Sequence, residues 1–183
     1  VTLSNGSSIT IPAGQSSGNV SVAAPSDDVY IDAGSVTVSV TGTSGGNYEN
    51  LQNGSISATT AITDDTDSTT LNLTGTASVV EGGSIVYSAS LTNPTGTALT
   101  ITLSNGAVIN IAANASTGSV TVAAPSDDAV IDAGSVSVTV ASTSGGNYEQ
   151  LTVGTGSAGN PVITTVTDDA DSIAQKIKRA KTD

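Results

Sequence analysis

The 183 residues include sixteen acids and four bases but no cysteine and no histidine, which excludes disulfides, a histidine-based triad and the usual zinc and transition-metal sites. All four bases (Lys176, Lys178, Arg179, Lys181) stand in the last eight positions, so residues 1–172 carry fifteen carboxylates and no base, a formal charge of −15. Such a body repels nucleic acid and anionic membranes and suits hard divalent cations.

The chain repeats itself. Residues 1–52 match 101–152 at a constant offset of 100, from VTLSNG against ITLSNG to TSGGNYENLQ against TSGGNYEQLT. TDDTDS (Thr63 to Ser68) then returns as TDDADS (Thr167 to Ser172) at an offset of 104. A period of about 100 residues exceeds the 20–50 of solenoids and propellers and suits a string of whole domains. This register makes residues 1–68 a repeat lacking roughly its first third, residues 69–172 a complete repeat, and residues 173–183 a basic tail, disordered or a short helix. The chain is thus expected to be a piece of a longer array. Its first unit is expected to expose a sheet edge, which leaves open strand exchange with a neighbouring molecule, and so a homo-oligomer.

Within the complete repeat, period-two alternation predicts seven strands in order: Thr69–Thr74, Ser84–Thr92, Leu99–Ser104, Ala107–Ala112, Ser119–Ala124, Ser135–Val140 and Pro161–Thr167. Count, alternation and turn spacing predict an all-β fold, a two-sheet Greek-key sandwich of immunoglobulin-like type in preference to a β-barrel. The only aromatics are Tyr30, Tyr48, Tyr87 and Tyr148, so its core of Val, Ile and Leu is thin and a cross-link is expected. With no lysine in the body, a Lys-to-Asn or Lys-to-Asp amide bond is closed as well, and oxygen-bound calcium remains.

The carboxylates fall into recurring groups. AAPSDDVYIDAGSV carries Asp27, Asp28 and Asp32; AAPSDDAVIDAGSV carries Asp127, Asp128 and Asp132. The links carry Asp64, Asp65, Asp67 and Asp168, Asp169, Asp171, and Glu81 stands in VVEGGS. A lone Asp is ordinarily a solvated turn residue. Doublets repeated in register, without any counter-base, favour calcium, which takes 6 to 8 oxygens in irregular geometry. Glu81 is expected near the preceding link and near a DDxxxD loop, with cations at the junctions fixing the angle between units. For GGNYE (Gly45–Glu49, Gly145–Glu149) a turn in which the Tyr caps the sandwich end is preferred over a ligand role for Glu49 or Glu149.

VVEGGSIVYSASLT, APSDDVYIDAGSVTVSV and the closing TVTDDADS together resemble the Calx-beta and related immunoglobulin-like calcium-binding modules. The whole unit is similar to the extender repeats of giant secreted bacterial adhesins of the RTX, Lap-like biofilm class, over nearly all of residues 1–172. The resemblance implies a tandem antiparallel sandwich and an extracellular location on the bacterial cell surface. It implies a calcium-rigidified spacer in cell adhesion and biofilm formation, with neighbouring repeats as partners. It places Glu81, Asp127, Asp128, Asp132 and the Asp168–Asp171 link at ligand positions, with the carbonyl of Val130. The family usually carries a further acid where this chain has Ser35 and Ser135, which implies fewer ions per site.

Two other function classes are weaker. A carbohydrate- or ligand-binding sandwich usually presents aromatic platforms, and this chain has neither Trp nor Phe. Catalysis is not expected, because the paired acids are sequence neighbours and no His, Cys or body Lys serves as base or nucleophile. The sequence shows no signal peptide and no apolar run of membrane-spanning length, and membrane insertion is not expected.

Overall fold

The computed structural model describes residues 1–52, 54, 56–128, 130–131, 133–154 and 160–169. The basic tail, Asp132 and Asp171 lie outside them. All regular structure among the described residues is β, and no helix there is long and apolar enough to cross a membrane. The chain divides into two compact units, Val1–Asp65 and Thr66–Asp183.

Among its described residues the first unit holds three strands, β1 (Thr2–Leu3), β2 (Gly34–Gly42) and β3 (Ser57–Ile62), in one antiparallel sheet of order β1-β2-β3. Val36, Val38 and Val40 recur at every second position of β2 and are only half-buried, on the wall of an open groove that Leu3, Ile9, Val20 and Val22 also line. Ile11 and Ile56 are 45% and 59% exposed. The opening expected at this unit is therefore a whole sheet face as well as an edge.

The second unit holds ten strands among its described residues: β4 (Ser68–Gly75), β5 (Ser78–Val80), β6 (Ser84–Leu91), β7 (Leu99–Leu103), β8 (Val108–Ile111), β9 (Thr117–Ala123), β10 (Gly134–Val138), β11 (Val140–Gly145), β12 (Gln150–Val153) and β13 (Val162–Thr167). They form a β-sandwich. One layer is the four-stranded sheet β12-β4-β6-β9; the other is made by β11-β7-β8 and β10-β13-β5. Alternation does what it should at both inner faces. Leu71, Leu73, Ile85, Tyr87, Ala89 and Leu91 point in from the four-stranded sheet, and Leu99, Ile101, Leu103, Ile109, Ile111, Val138, Val162 and Val166 are buried on the strands of the other layer. The buried threonines are hydrogen-bonded: Thr164 Oγ1 donates to the Thr76 carbonyl (2.7 Å), Thr95 Oγ1 to the Ala112 carbonyl (2.6 Å), and Thr69 Oγ1 accepts from Asn93 (3.1 Å).

The extra strands come from pairings that alternation does not encode. Residues 134–145 form one run in sequence but change sheets at Thr139. β10 pairs with β13 and β11 with β7, while Thr139 bonds Ser104 through both its amide and its carbonyl. The sheets are also mixed, with β12 parallel to β4 and β13 parallel to β5 beside the antiparallel majority.

Candidate cation site at the acidic ends

In both units the SDD loop closes on itself in the same way. Asp28 Oδ1 accepts the amide of Tyr30 (2.8 Å) and Asp128 Oδ1 that of Val130 (2.6 Å), so each second aspartate spends one oxygen on an Asx turn. This is the turn role that Asp fills anywhere.

In the first unit the third acid brings the loop to the link. The amide of Asp32 donates to Asp64 Oδ2 (3.4 Å), and both carboxylates lie at the same end of β2 and β3. The Asp32 carboxyl is raised above its ordinary value of 3.8, first by desolvation and then by the charges of Asp28 and Asp64 and a hydrogen bond with Asp64. The charges of Asp28 and Asp64 thus both bear against an ionised Asp32. Asp27 and Asp65 are exposed residues of the same loop and link.

In the second unit three acidic segments meet at one end. Glu81 stands in the turn between β5 and β6 and is only 8% exposed. Its amide donates to the Thr167 carbonyl (3.0 Å), immediately before Asp168 and Asp169. Next to it, the Gly82 amide donates to the Pro125 carbonyl (2.7 Å) and the Ala124 amide to the Gly83 carbonyl (2.9 Å), which stitches this turn to the SDD loop. Gly82 has φ +69°, and a Cβ there would stand 3.4 Å from Asp127 Cβ. One oxygen each of Glu81 (Oε2), Asp127 (Oδ1) and Asp169 (Oδ1) is shielded from solvent.

The register corrects one detail. Glu81 meets the link that follows its repeat, through Thr167, and not the preceding one. Ser84 at the start of β6 faces Ala123, whereas Leu71, near the start of β4, faces Leu91 at the far end of β6. Asp67, just ahead of β4, thus lies at the opposite end of this sheet. There its amide donates to Glu149 Oε2. Glu149 stands one residue ahead of β12, where Gln150 pairs with Ser68, and this pairing brings it to Asp67; no spacing in the sequence marks it. The two GGNYE tyrosines differ: Tyr148 is 7% exposed and its hydroxyl donates to the Asn93 carbonyl, whereas Tyr48 is 68% exposed and caps nothing.

The donor set is all oxygen, carboxylate and carbonyl, with no base in the described body, which fits a hard divalent cation. Within either unit, among the described residues, no three carboxylates bring oxygens all within 4.8 Å of one another. Backbone carbonyls and water would have to complete any shell there.

No curated protein and no solved structure is similar to the chain beyond chance. The LapA domain family matches residues 1–66 and again 67–169, one match for each repeat. The chain belongs to the LapA domain family, a family of large cell-surface adhesins that serve adhesion and biofilm formation rather than catalysis.

Proposed function

We propose that this chain is a calcium-rigidified extender, a spacer segment that projects an adhesin from the cell surface, in the manner of RTX adhesin repeats. The observation that carries this reading is the meeting of Glu81, the SDD loop and the Asp168–Asp169 link at one end of the second unit, held by three backbone hydrogen bonds. The Asp28, Asp32 and Asp64 group of the first unit repeats it in part.

Asp27, Asp28, Asp32 and Asp64 would hold the ion in the first unit, and Glu81, Asp127, Asp128, Asp168 and Asp169 in the second. A bound divalent cation supplies positive charge where these carboxylates otherwise repel. It acts by mass action, raising stability only for the state that binds it. The residues themselves do the positioning: Gly82 permits the tight turn, and the Asx turns at Asp28 and Asp128 hold each second aspartate to its own loop.

The test is a calorimetric titration of the chain with calcium, with thermal unfolding and small-angle scattering in calcium and in excess chelator. Heat of binding at micromolar to millimolar calcium, with a melting temperature and radius of gyration that respond to chelator, is expected. Identical unfolding and scattering in both buffers would defeat the calcium reading while leaving the family assignment intact.

A further inference from the structure

The sixteen acids are not the chain's only source of carboxylate, because an asparagine side chain can lose its amide to its own backbone. That reaction needs the next residue's amide nitrogen as nucleophile, held close to the side-chain carbonyl and free of crowding. Asn93 and Asn160 precede proline, which has no N–H to use. Asn72 and Asn110 lie within β4 and β8, ahead of the buried Leu73 and Ile111. Glycine follows Asn5, Asn53 and Asn105 alone. Asn53 lies outside the described residues, whereas Asn5-Gly6 and Asn105-Gly106 are both exposed.

The two turns are built alike. The Gly106 amide donates to the Leu103 carbonyl (2.9 Å) and the Gly6 amide to the Leu3 carbonyl (3.0 Å). Asn105 Oδ1 accepts the Ala107 amide (3.1 Å) and Asn5 Oδ1 that of Ser7 (3.1 Å). Each of these Asx bonds spans the glycine, so it folds the side-chain amide back over the glycine nitrogen. It also sets an N–H donor on the oxygen that becomes negative as that nitrogen attacks, which favours the attack. A Cβ on either glycine would meet no heavy atom within 4 Å beyond its chain neighbours, so the nitrogen is uncrowded.

We propose that Asn105 and Asn5 are sites of spontaneous deamidation in the folded protein, with water as the only co-reactant. The Gly106 nitrogen bonds to Asn105 Cγ, the bond from Cγ to Nδ2 breaks, and the Gly106 amide proton leaves with Nδ2 as ammonia. A cyclic imide remains. Water then opens it at one of two carbonyls: attack at Cγ gives aspartate, and attack at the main-chain carbon gives isoaspartate, whose backbone runs through the former side chain. Asn5 follows the same steps with Gly6. In the second unit one hydrogen bond stands in the way, that of the Gly106 amide to Leu103, while the β7–β8 pairing from Leu99↔Ile111 to Thr102↔Val108 stays closed. Each conversion adds one negative charge to a chain already at −12. Aspartate fits the turn as it stands, since Asp28 and Asp128 make the same Asx bond in their loops. Isoaspartate lengthens the β7–β8 connection by one methylene.

The experiment holds the whole chain at mildly alkaline pH in native buffer and, in parallel, in strong denaturant. Peptide mapping over time reads asparagine, aspartate and isoaspartate at each position separately. Asn105 and Asn5 are expected to convert in native buffer at rates within about ten-fold of those in denaturant, the penalty of opening one hydrogen bond. Asn72 and Asn110 should stay intact over the same period. Gly106→Ala, which puts a methyl group beside the attacking nitrogen, should slow Asn105 at least about ten-fold and leave Asn5 in the same molecule unchanged. A native rate at Asn105 below the ten-fold limit would overturn the inference, by showing that more than the turn must open first. Equal loss at Asn72 or Asn110 would overturn it too, as would a Gly106→Ala chain that converts Asn105 as fast as before.

Discussion

The Tyr148 hydroxyl donates to the Asn93 carbonyl across 2.9 Å, tying the turn ahead of β12 to the loop that follows β6. Both ends of this bond are part-buried, and the Asn47 to Glu49 segment of the first unit has no such partner strand to reach. Tyr148→Phe is expected to cost the second unit about 1 kcal/mol, the usual worth of one internal hydrogen bond. Tyr48→Phe, at a side chain 68% exposed, should change nothing measurable. Denaturant unfolding of the two variants checks the contrast, and equal effects would contradict it.

Asp32 offers a test that separates a turn residue from a cation ligand. Its folded proton affinity is raised, so its contribution to stability is fully present below the ordinary value of 3.8 and is lost as pH rises through the folded value. At neutral pH in chelator the ionised carboxylate therefore opposes folding, and Asp32→Asn should raise the melting temperature of the first unit, with the gain vanishing near pH 3. If a cation sits there, the same substitution lowers calcium affinity. A variant that is less stable in chelator at neutral pH would contradict the repulsion at this loop.

Tyr87 gives an alkaline counterpart in the second unit. It is fully buried, and burial pushes its hydroxyl above the ordinary value of 10.0, with Thr164 partly offsetting the shift. Folding favours the protonated phenol, so that contribution is intact below 10.0 and is lost as pH climbs through the raised value. Unfolding midpoints measured from pH 8 to 12 should fall along this limb, and Tyr87→Phe should flatten it. A limb of equal steepness in the variant would show that other groups set the alkaline behaviour.

Much of the sandwich was legible in the residues because alternation reports burial directly. Ile85, Tyr87, Ala89 and Leu91 stand at every second position, and each is buried. What alternation cannot report is the partner. Nothing in the run from Gly134 to Gly145 marks Thr139 as the place where the strand leaves one sheet for another, since the side-chain pattern stays compatible with either. β12 was hidden for a related reason: QLTV is too short to announce itself and becomes a strand by pairing with β4, about 80 residues away.

The acidic groups divide along the same line. The repeated doublets identified the loops, and the second aspartate of each proved to serve its own turn. The meeting of Glu81 with Thr167 and the SDD loop depends on β5 running alongside β13, a long-range pairing that sequence spacing does not reveal. The bond from the Asp67 amide to Glu149 joins residues 82 apart, a distance that sequence spacing does not span.

The two parallel pairings bear on how the second unit carries load. β4 and β13 are its first and last described strands; β4 starts at the Asp67 end, and β13 finishes beside Glu81 at the other. Tension applied between these ends runs along β4 and β13, so the bonds of β4 to β12 and of β13 to β5 are strained in shear and must break together rather than unzip one at a time. Single-molecule pulling from Ser68 and Thr167 is accordingly expected to show one abrupt high-force rupture for this unit. A gradual low-force plateau would mean that the strands peel. In the spacer role proposed above, such shear loading would let a thin core of Val, Ile and Leu resist force through the geometry of its strand pairing rather than through its thermodynamic stability.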